Sequence, residues 1–152
     1  KLPEPFIKEE VAVVPGTDGQ KMSKSYGNTI DLFGTDAELK KQVMSIVTDS
    51  TPLEKPKNPD KCHVFQIYKL LATKEETENL AKKYRKGGFG YGDAKKLLLA
   101  KFLEDFGPFR KKYNELLPKK DFVLSILDKG AKKAKQMAAK TLKTAKEKIG
   151  YL

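Results

Sequence analysis

Val11-Ala12-Val13-Val14-Pro15-Gly16-Thr17-Asp18-Gly19-Gln20-Lys21-Met22-Ser23-Lys24-Ser25-Tyr26-Gly27-Asn28 joins a strand-like run to a glycine-rich cationic turn. Four apolar residues in succession read as a buried parallel strand. Such a strand needs neighbours on both sides, and no second run of that kind follows. Its sheet is therefore expected on polypeptide outside this chain. Beyond Asn28 the pattern is helix and loop. The expected fold class is mainly α: a helical bundle preceded by one strand and a loop.

Working outward, residues 1–10 read as a connector, because Pro3 and Pro5 oppose helix. Ile30-Asp31-Leu32-Phe33 is short and reads as extended. Asp36 is the expected cap of a helix from Ala37 to about Val47, with Leu39, Val43 and Ile46 at helical spacing. Pro52 and Pro56 mark residues 48–57 as loop. Asn58-Pro59-Asp60 starts a helix with Val64, Ile67, Tyr68 and Leu71 on one face. Thr73 and Glu76 form a capping box for a helix ending at Gly87-Gly88. Asp93 is expected to cap a helix over Ala94–Phe106, broken or kinked at Gly107-Pro108 and resuming until Pro118. Residues 121–128 and 131–149 close the chain as helices that can merge through Gly130.

The 152 residues suffice for a domain with a core. Lys and Arg number 31 against 20 Asp and Glu, a net charge of +11. A surplus of this size points toward nucleic acid, with plain solubility as the simpler alternative. The single cysteine, Cys62, excludes an internal disulfide and a CxxC metal site, which suits a reducing cytoplasm. Cys62 beside His63 reads as a helix-surface pair rather than a nucleophile and base, because no acidic orienting group is evident. No run approaches the roughly 20 apolar residues of a membrane span, and none reads as a signal peptide. No metal site and no membrane partner are expected.

The cationic turn carries the chemistry. Gly16 and Gly19 allow positive φ and close backbone approach, and successive amides in such a turn can form an anion-binding concavity. Lys21 and Lys24 lie three residues apart, each beside a serine. Lysine is a compact charge on a flexible stem, able to follow a phosphate that moves during reaction. The β- and γ-phosphates of ATP suit such a pair, with Ser23 and Ser25 adding hydroxyl donors. G-x-x-x-x-G-K-[ST] is absent, so this is not a Walker A loop. On composition alone a solvated Lys/Ser hairpin is the simpler reading.

Residue order decides between them. Lys21-Met22-Ser23-Lys24-Ser25 matches the KMSKS motif of class I aminoacyl-tRNA synthetases residue for residue. Its flanks, Val13–Gly19 and Tyr26–Ile30, resemble the bacterial-type tryptophanyl-tRNA synthetases. So do Ile46–Thr51, Val64–Lys69, Gly87–Asp93 and Gly130–Ala134, in the same order. The resemblance covers essentially the whole chain. Tyrosyl-tRNA synthetases share the fold and the motif, and a stand-alone helical RNA-binding module is the other alternative. The family's second ATP motif, of His-x-Gly-His or Thr-x-Gly-Asn type, is not found, and the only histidine is His63.

The resemblance implies residues 1–35 as the remnant of a Rossmann-type catalytic domain and residues 36–152 as a helical, anticodon-binding-like C-terminal domain. It implies a parent ligase that activates tryptophan with ATP and transfers it to tRNA, inactive when reduced to this chain. Lys21 and Lys24 would stabilise the triphosphate. The backbone near Ala12 and Met22 would approach adenine, and Ser23 and Ser25 would order the loop. Mg²⁺ would arrive with ATP, and the parent would be a cytoplasmic homodimer.

Two basic stretches are candidate tRNA contacts. Lys82, Lys83, Arg85 and Lys86 precede Gly87-Gly88-Phe89-Gly90-Tyr91, which interleaves glycines and aromatics. Unpaired bases stack on such rings, although Phe89 and Tyr91 serve equally as core plugs. Lys132, Lys133 and Lys135 belong to the last helix, where Lys129–Ile149 holds one acid, Glu147. Its apolar stripe runs Ala134, Met137, Ala138, Thr141, Leu142, Ala145 and Ile149. The helix reads equally as packed on the bundle or as a phosphate-tracking surface.

Overall fold

Thr35 starts the first helix. Its hydroxyl accepts from the Glu38 amide at 3.2 Å, while the Glu38 carboxylate accepts from the Thr35 amide at 2.8 Å. This capping box satisfies amides that have no helical partner, and α1 spans Asp36–Ser45. The expected cap, Asp36, lies one residue inside the helix and pairs with the Arg110 guanidinium instead. The structure, a computed structural model, describes residues 2–7 and 12–151.

Asn58 caps a 3₁₀ turn, Pro59–Lys61, by accepting from the Asp60 amide at 3.0 Å. Cys62 is extended (φ −101°, ψ 116°), so the expected single helix divides into this turn and α2, His63–Leu71. The predicted Thr73/Glu76 capping box forms, and α3 runs Lys74–Lys86 before stopping at Gly87. The Gly90 carbonyl accepts from the amides of Asp93 and Ala94. That opens α4, Tyr91–Leu116, ahead of the expected cap Asp93, which pairs with Lys96 at 3.0 Å.

Pro108 sits inside α4, so of the two expectations at Gly107-Pro108, a break or a kink, the break does not occur. A helical proline loses the bond to the carbonyl four residues back. Here rings flank the gap: Phe102 to Phe106 at 6.2 Å between centroids and Phe106 to Phe109 at 6.5 Å. Ring contacts one turn apart support the helix on either side of the lost bond.

The expected strand differs. Val11 lies outside the described residues, and Ala12 and Val13 are exposed. The only β pairing among the described residues is an antiparallel bridge between Pro15 and Lys21. A ladder needs a second chain segment alongside, and none of the described residues supplies one.

The chain forms two compact units, Lys1–Arg110 and Lys111–Leu152. In the first, apolar residues at helical spacing meet in one core: Leu39 and Val43 of α1, Val64, Ile67 and Tyr68 of α2, Leu80 and Tyr84 of α3, Ala94, Leu98 and Phe102 of α4. Tyr84 is fully buried at its centre, with rings of Phe65, Phe89 and Tyr91 at 5.7, 5.9 and 6.0 Å. Burial pushes its phenol far above the usual tyrosine range.

The second unit holds the end of α4 and α5, Lys120–Lys148, continuous through Gly130. No residue of α5 is buried. In the expected stripe Met137 is 67% exposed and Leu142 56%. No helix of the described residues is long and apolar enough to cross a membrane.

Candidate functional site

The turn that carries Lys21 and Lys24 is a closed hairpin. Met22 N–H donates to the Val14 carbonyl at 2.8 Å and Gly16 N–H to the Gln20 carbonyl at 2.7 Å. Gly19 N–H reaches the Gly16 carbonyl at 3.0 Å. Gly19 has φ +84°, and a Cβ there would overlap the imidazole of His63; glycine meets both demands. Ser23 and Ser25 share a hydrogen bond at 2.8 Å, at the start of a 3₁₀ turn, Lys24–Tyr26.

Asn28, which sequence reasoning passed over, holds the hairpin together. Its side chain is buried against Gly16, where a Cβ would overlap the amide. Oδ1 accepts from the Ser23 amide at 2.8 Å. Nδ2 donates to the Asp18 carboxylate at 2.8 Å and the Lys21 carbonyl at 3.2 Å. The Asn28 carbonyl accepts from the Thr17 amide at 2.9 Å. The Asn28 amide, with help from the Gln20 N–H, holds the Asp18 carboxyl below the usual carboxylate range.

Most of the amides that could have formed an anion-binding concavity are engaged within the hairpin. The amides of Gly16, Thr17, Gly19, Gln20, Met22 and Ser23 all donate within the hairpin. Positive charge is offered by side chains instead. Lys21 and Lys24 are exposed, and neither lies in an ion pair among the described residues. Met22 is half-buried and Ala12 exposed.

The hairpin rests on the helical core. Thr17 C=O accepts from Val47 N–H, just past α1, at 2.8 Å, and His63 of α2 lies against Gly19. Beside this joint is a cleft of about 270 Å³, lined by Val47, Thr48, Asp49, Lys61, Cys62, His63 and Tyr91. Tyr91 donates to the Asp49 carboxylate at 2.8 Å. The hydroxyl and amide of Thr51, then Tyr91, keep that carboxyl below its ordinary value, while burial pushes the Tyr91 phenol up to about 12. Cys62 is no surface residue: it is buried, with its sulfur 3.3 Å from the Tyr84 hydroxyl. No three His, Cys, Asp or Glu side chains converge as a metal site among the described residues.

The basic candidates fall in both units. Lys82, Lys83, Arg85 and Lys86 are exposed on the last turns of α3, with Lys83 5.7 Å from the Phe89 ring centroid. Phe89 and Tyr91 pack on Tyr84, so the structure favours the core-plug reading of these rings. Lys132, Lys133 and Lys135 are exposed on α5, and Lys132 pairs with Asp128 at 2.7 Å.

Comparison with known proteins completes the picture. A model of the family described as tRNA synthetases class I (W and Y) matches residues 1–107. The tryptophan–tRNA ligase of Fusobacterium nucleatum is 53% identical over 152 residues, covering 100% of this chain and 46% of the relative. That of Rhodopirellula baltica is 49% identical over 149 residues, covering 98% and 47%. Among solved structures, tryptophanyl-tRNA synthetase from Campylobacter jejuni, complexed with ADP and tryptophan, superposes with a TM-score of 0.87 at 50% identity. That match covers 98% of this chain and 47% of the other. The chain thus spans about half the length of the curated relatives it matches. Its sequence, its helical fold and its Lys21–Ser25 hairpin agree: the chain belongs to the class I tRNA synthetases of the tryptophan and tyrosine family.

Proposed function

We propose that this chain is part of a tryptophan–tRNA ligase, to which it contributes the loop that grips ATP and a helical surface for tRNA. The observation that carries the proposal is the pair of exposed ammonium groups, Lys21 and Lys24, on a hairpin in which the amides of Gly16, Thr17, Gly19, Gln20, Met22 and Ser23 donate internally. Cations without a carboxylate partner among the described residues are available to an anionic ligand. The high identity to tryptophan–tRNA ligases supports tryptophan as the amino acid.

In this reading the tryptophan carboxylate attacks the α-phosphorus of ATP, and pyrophosphate leaves. Charge builds on the β- and γ-phosphates as that bond breaks. Lys21 and Lys24 follow it, binding the leaving group more tightly in the transition state than in the ground state. Ser23 and Ser25 order the loop, and the backbone at Ala12 and Met22 borders the adenine. Mg²⁺ travels with the triphosphate. The aminoacyl group then passes to the tRNA 3′ end.

Lys82, Lys83, Arg85, Lys86, Lys132, Lys133 and Lys135 contact tRNA phosphates. The working protein is a homodimer in the cytoplasm, residues 1–35 continuing its catalytic domain and residues 36–152 serving the tRNA.

The test is Lys24→Ala in the complete ligase. Tryptophan-dependent ATP–pyrophosphate exchange is expected to slow by about a hundredfold to a thousandfold, the scale of losing one donor to developing charge. Tryptophan affinity is expected to hold, because the contact is made in the transition state. Equal exchange rates in variant and wild type would overturn the assignment.

A further inference from the structure

We infer that Asn28 is a positioning residue for the phosphate-gripping loop, its side-chain amide setting the backbone from which Lys21 and Lys24 project. This inference rests on the proposed function of those lysines and adds a residue to it.

An asparagine amide has two N–H donors and one acceptor oxygen. Both donors of Asn28 are engaged, one by the Asp18 carboxylate and one by the Lys21 carbonyl, and its oxygen takes the Ser23 amide. The orientation of the amide is fixed by its partners: an N–H must face the oxygen, and a carboxylate and a carbonyl must face the nitrogen. The two backbone partners, Lys21 C=O and Ser23 N–H, flank Met22. One planar group therefore clamps the peptide between the two lysines. The Asp18 contact and the Thr17 N–H to Asn28 C=O bond tie the same residue to the entry of the hairpin. Gly16 leaves the space in which the amide sits. Burial at 2% exposure keeps water from replacing these bonds.

Asn28 lies at the far end of the loop, with nothing to place its side chain on a phosphate. Its effect on reaction would run through the lysines. A flexible side chain aimed from a fixed backbone loses less entropy on reaching the transition state than one aimed from a mobile loop. Loss of the clamp should therefore reduce turnover and leave tryptophan binding alone.

The experiment uses the complete ligase and ATP–pyrophosphate exchange. Asn28→Asp puts an oxygen where Nδ2 faces Asp18 and the Lys21 carbonyl. It is expected to lower kcat by about tenfold to a hundredfold, with KM for tryptophan unchanged. Asn28→Ala removes the clamp without adding charge and should lower kcat similarly. It keeps the test open if the aspartate variant fails to fold. The exchanged pair Asp18→Asn with Asn28→Asp restores a donor opposite an acceptor and should recover part of the loss. On a Lys21→Ala, Lys24→Ala background, Asn28→Ala should cost much less than on wild type, because both groups being aimed are gone.

Wild-type kcat in Asn28→Ala would overturn the inference, as would a full multiplicative loss on the Lys21→Ala, Lys24→Ala background. Neither result touches the lysine assignment, which stands or falls on Lys24→Ala alone.

Discussion

Lys57 shows how a residue can contradict its type. It is 4% exposed, and its ammonium donates to the carbonyls of Pro52 at 2.9 Å, Leu53 at 3.2 Å and Lys55 at 3.2 Å. The Tyr91 ring lies 5.4 Å away. A buried charge persists when its donors are satisfied, and here they organise the loop between α1 and α2. Lys57 N–H also reaches the Tyr84 carbonyl at 2.7 Å, joining the loop to α3. Lys57→Met keeps the stem and removes a charged donor from three carbonyls, of which Pro52 and Leu53 keep a backbone N–H partner. It is expected to lower stability by about 2–3 kcal/mol, the scale of removing charged hydrogen bonds from a buried site, measured by urea unfolding of this chain. An unchanged midpoint would show that water replaces the ammonium. Nothing in the sequence separates Lys57 from the exposed lysines, and nothing marks Asn28 as buried. Both depend on which carbonyls and amides the fold brings around them. Lys21 and Lys24 could be singled out because their neighbours in sequence, rather than in space, define the motif.

Helices were legible where a local signal sets them, although the caps expected at Asp36 and Asp93 lie inside their helices. Thr-x-x-Glu at residues 73–76 is a capping box in sequence and in structure, and the same pattern at residues 35–38 starts α1. Glu76 accepts from the Thr73 amide at 2.7 Å and from Lys101 at 3.3 Å, and the Thr73 bonds above all hold its carboxyl below the ordinary range. A carboxyl whose folded value is depressed stabilises the fold above its unfolded value, and that contribution fades as pH falls through the folded one. Glu76→Gln should therefore lower the thermal midpoint at pH 7. The gap from wild type should close as pH drops below about 4, the ordinary glutamate range. A gap of constant size from pH 7 to pH 3 would refute a charge-assisted cap. Signals at a distance read less well. Pro108 predicts a break or a kink, and Phe102, Phe106 and Phe109 carry α4 past it without a break. Val11–Val14 has strand composition, but pairing requires another segment, which local sequence does not supply.

At the scale of the whole molecule, net charge of +11 is the property a polyanion senses first. Burial ends with the first unit: beyond Arg110 no described residue is buried, and lysines and apolar side chains alike face solvent. Composition announced the charge; it did not announce this division, because the boundary falls inside α4, where helical spacing continues. If the basic surface serves tRNA, affinity must fall steeply with salt, since each neutralised phosphate releases counterions and adds roughly 0.7–0.9 to the log–log slope. Replacing Lys132, Lys133 and Lys135 together by Gln should weaken binding for all tRNAs alike. It should also lower the slope by about one for each phosphate left without its lysine. Fluorescence anisotropy of labelled tRNA between low and moderate salt gives both quantities. A flat titration for the wild-type chain would remove electrostatic recognition altogether. An unchanged slope in the triple variant would confine recognition to Lys82, Lys83, Arg85 and Lys86 on α3. The same variant should leave ATP–pyrophosphate exchange in the complete ligase untouched, because amino-acid activation requires no tRNA phosphate. The two halves of the proposed function, the nucleotide grip at Lys21 and Lys24 and the tRNA surface on the helices, are thereby separable by experiment.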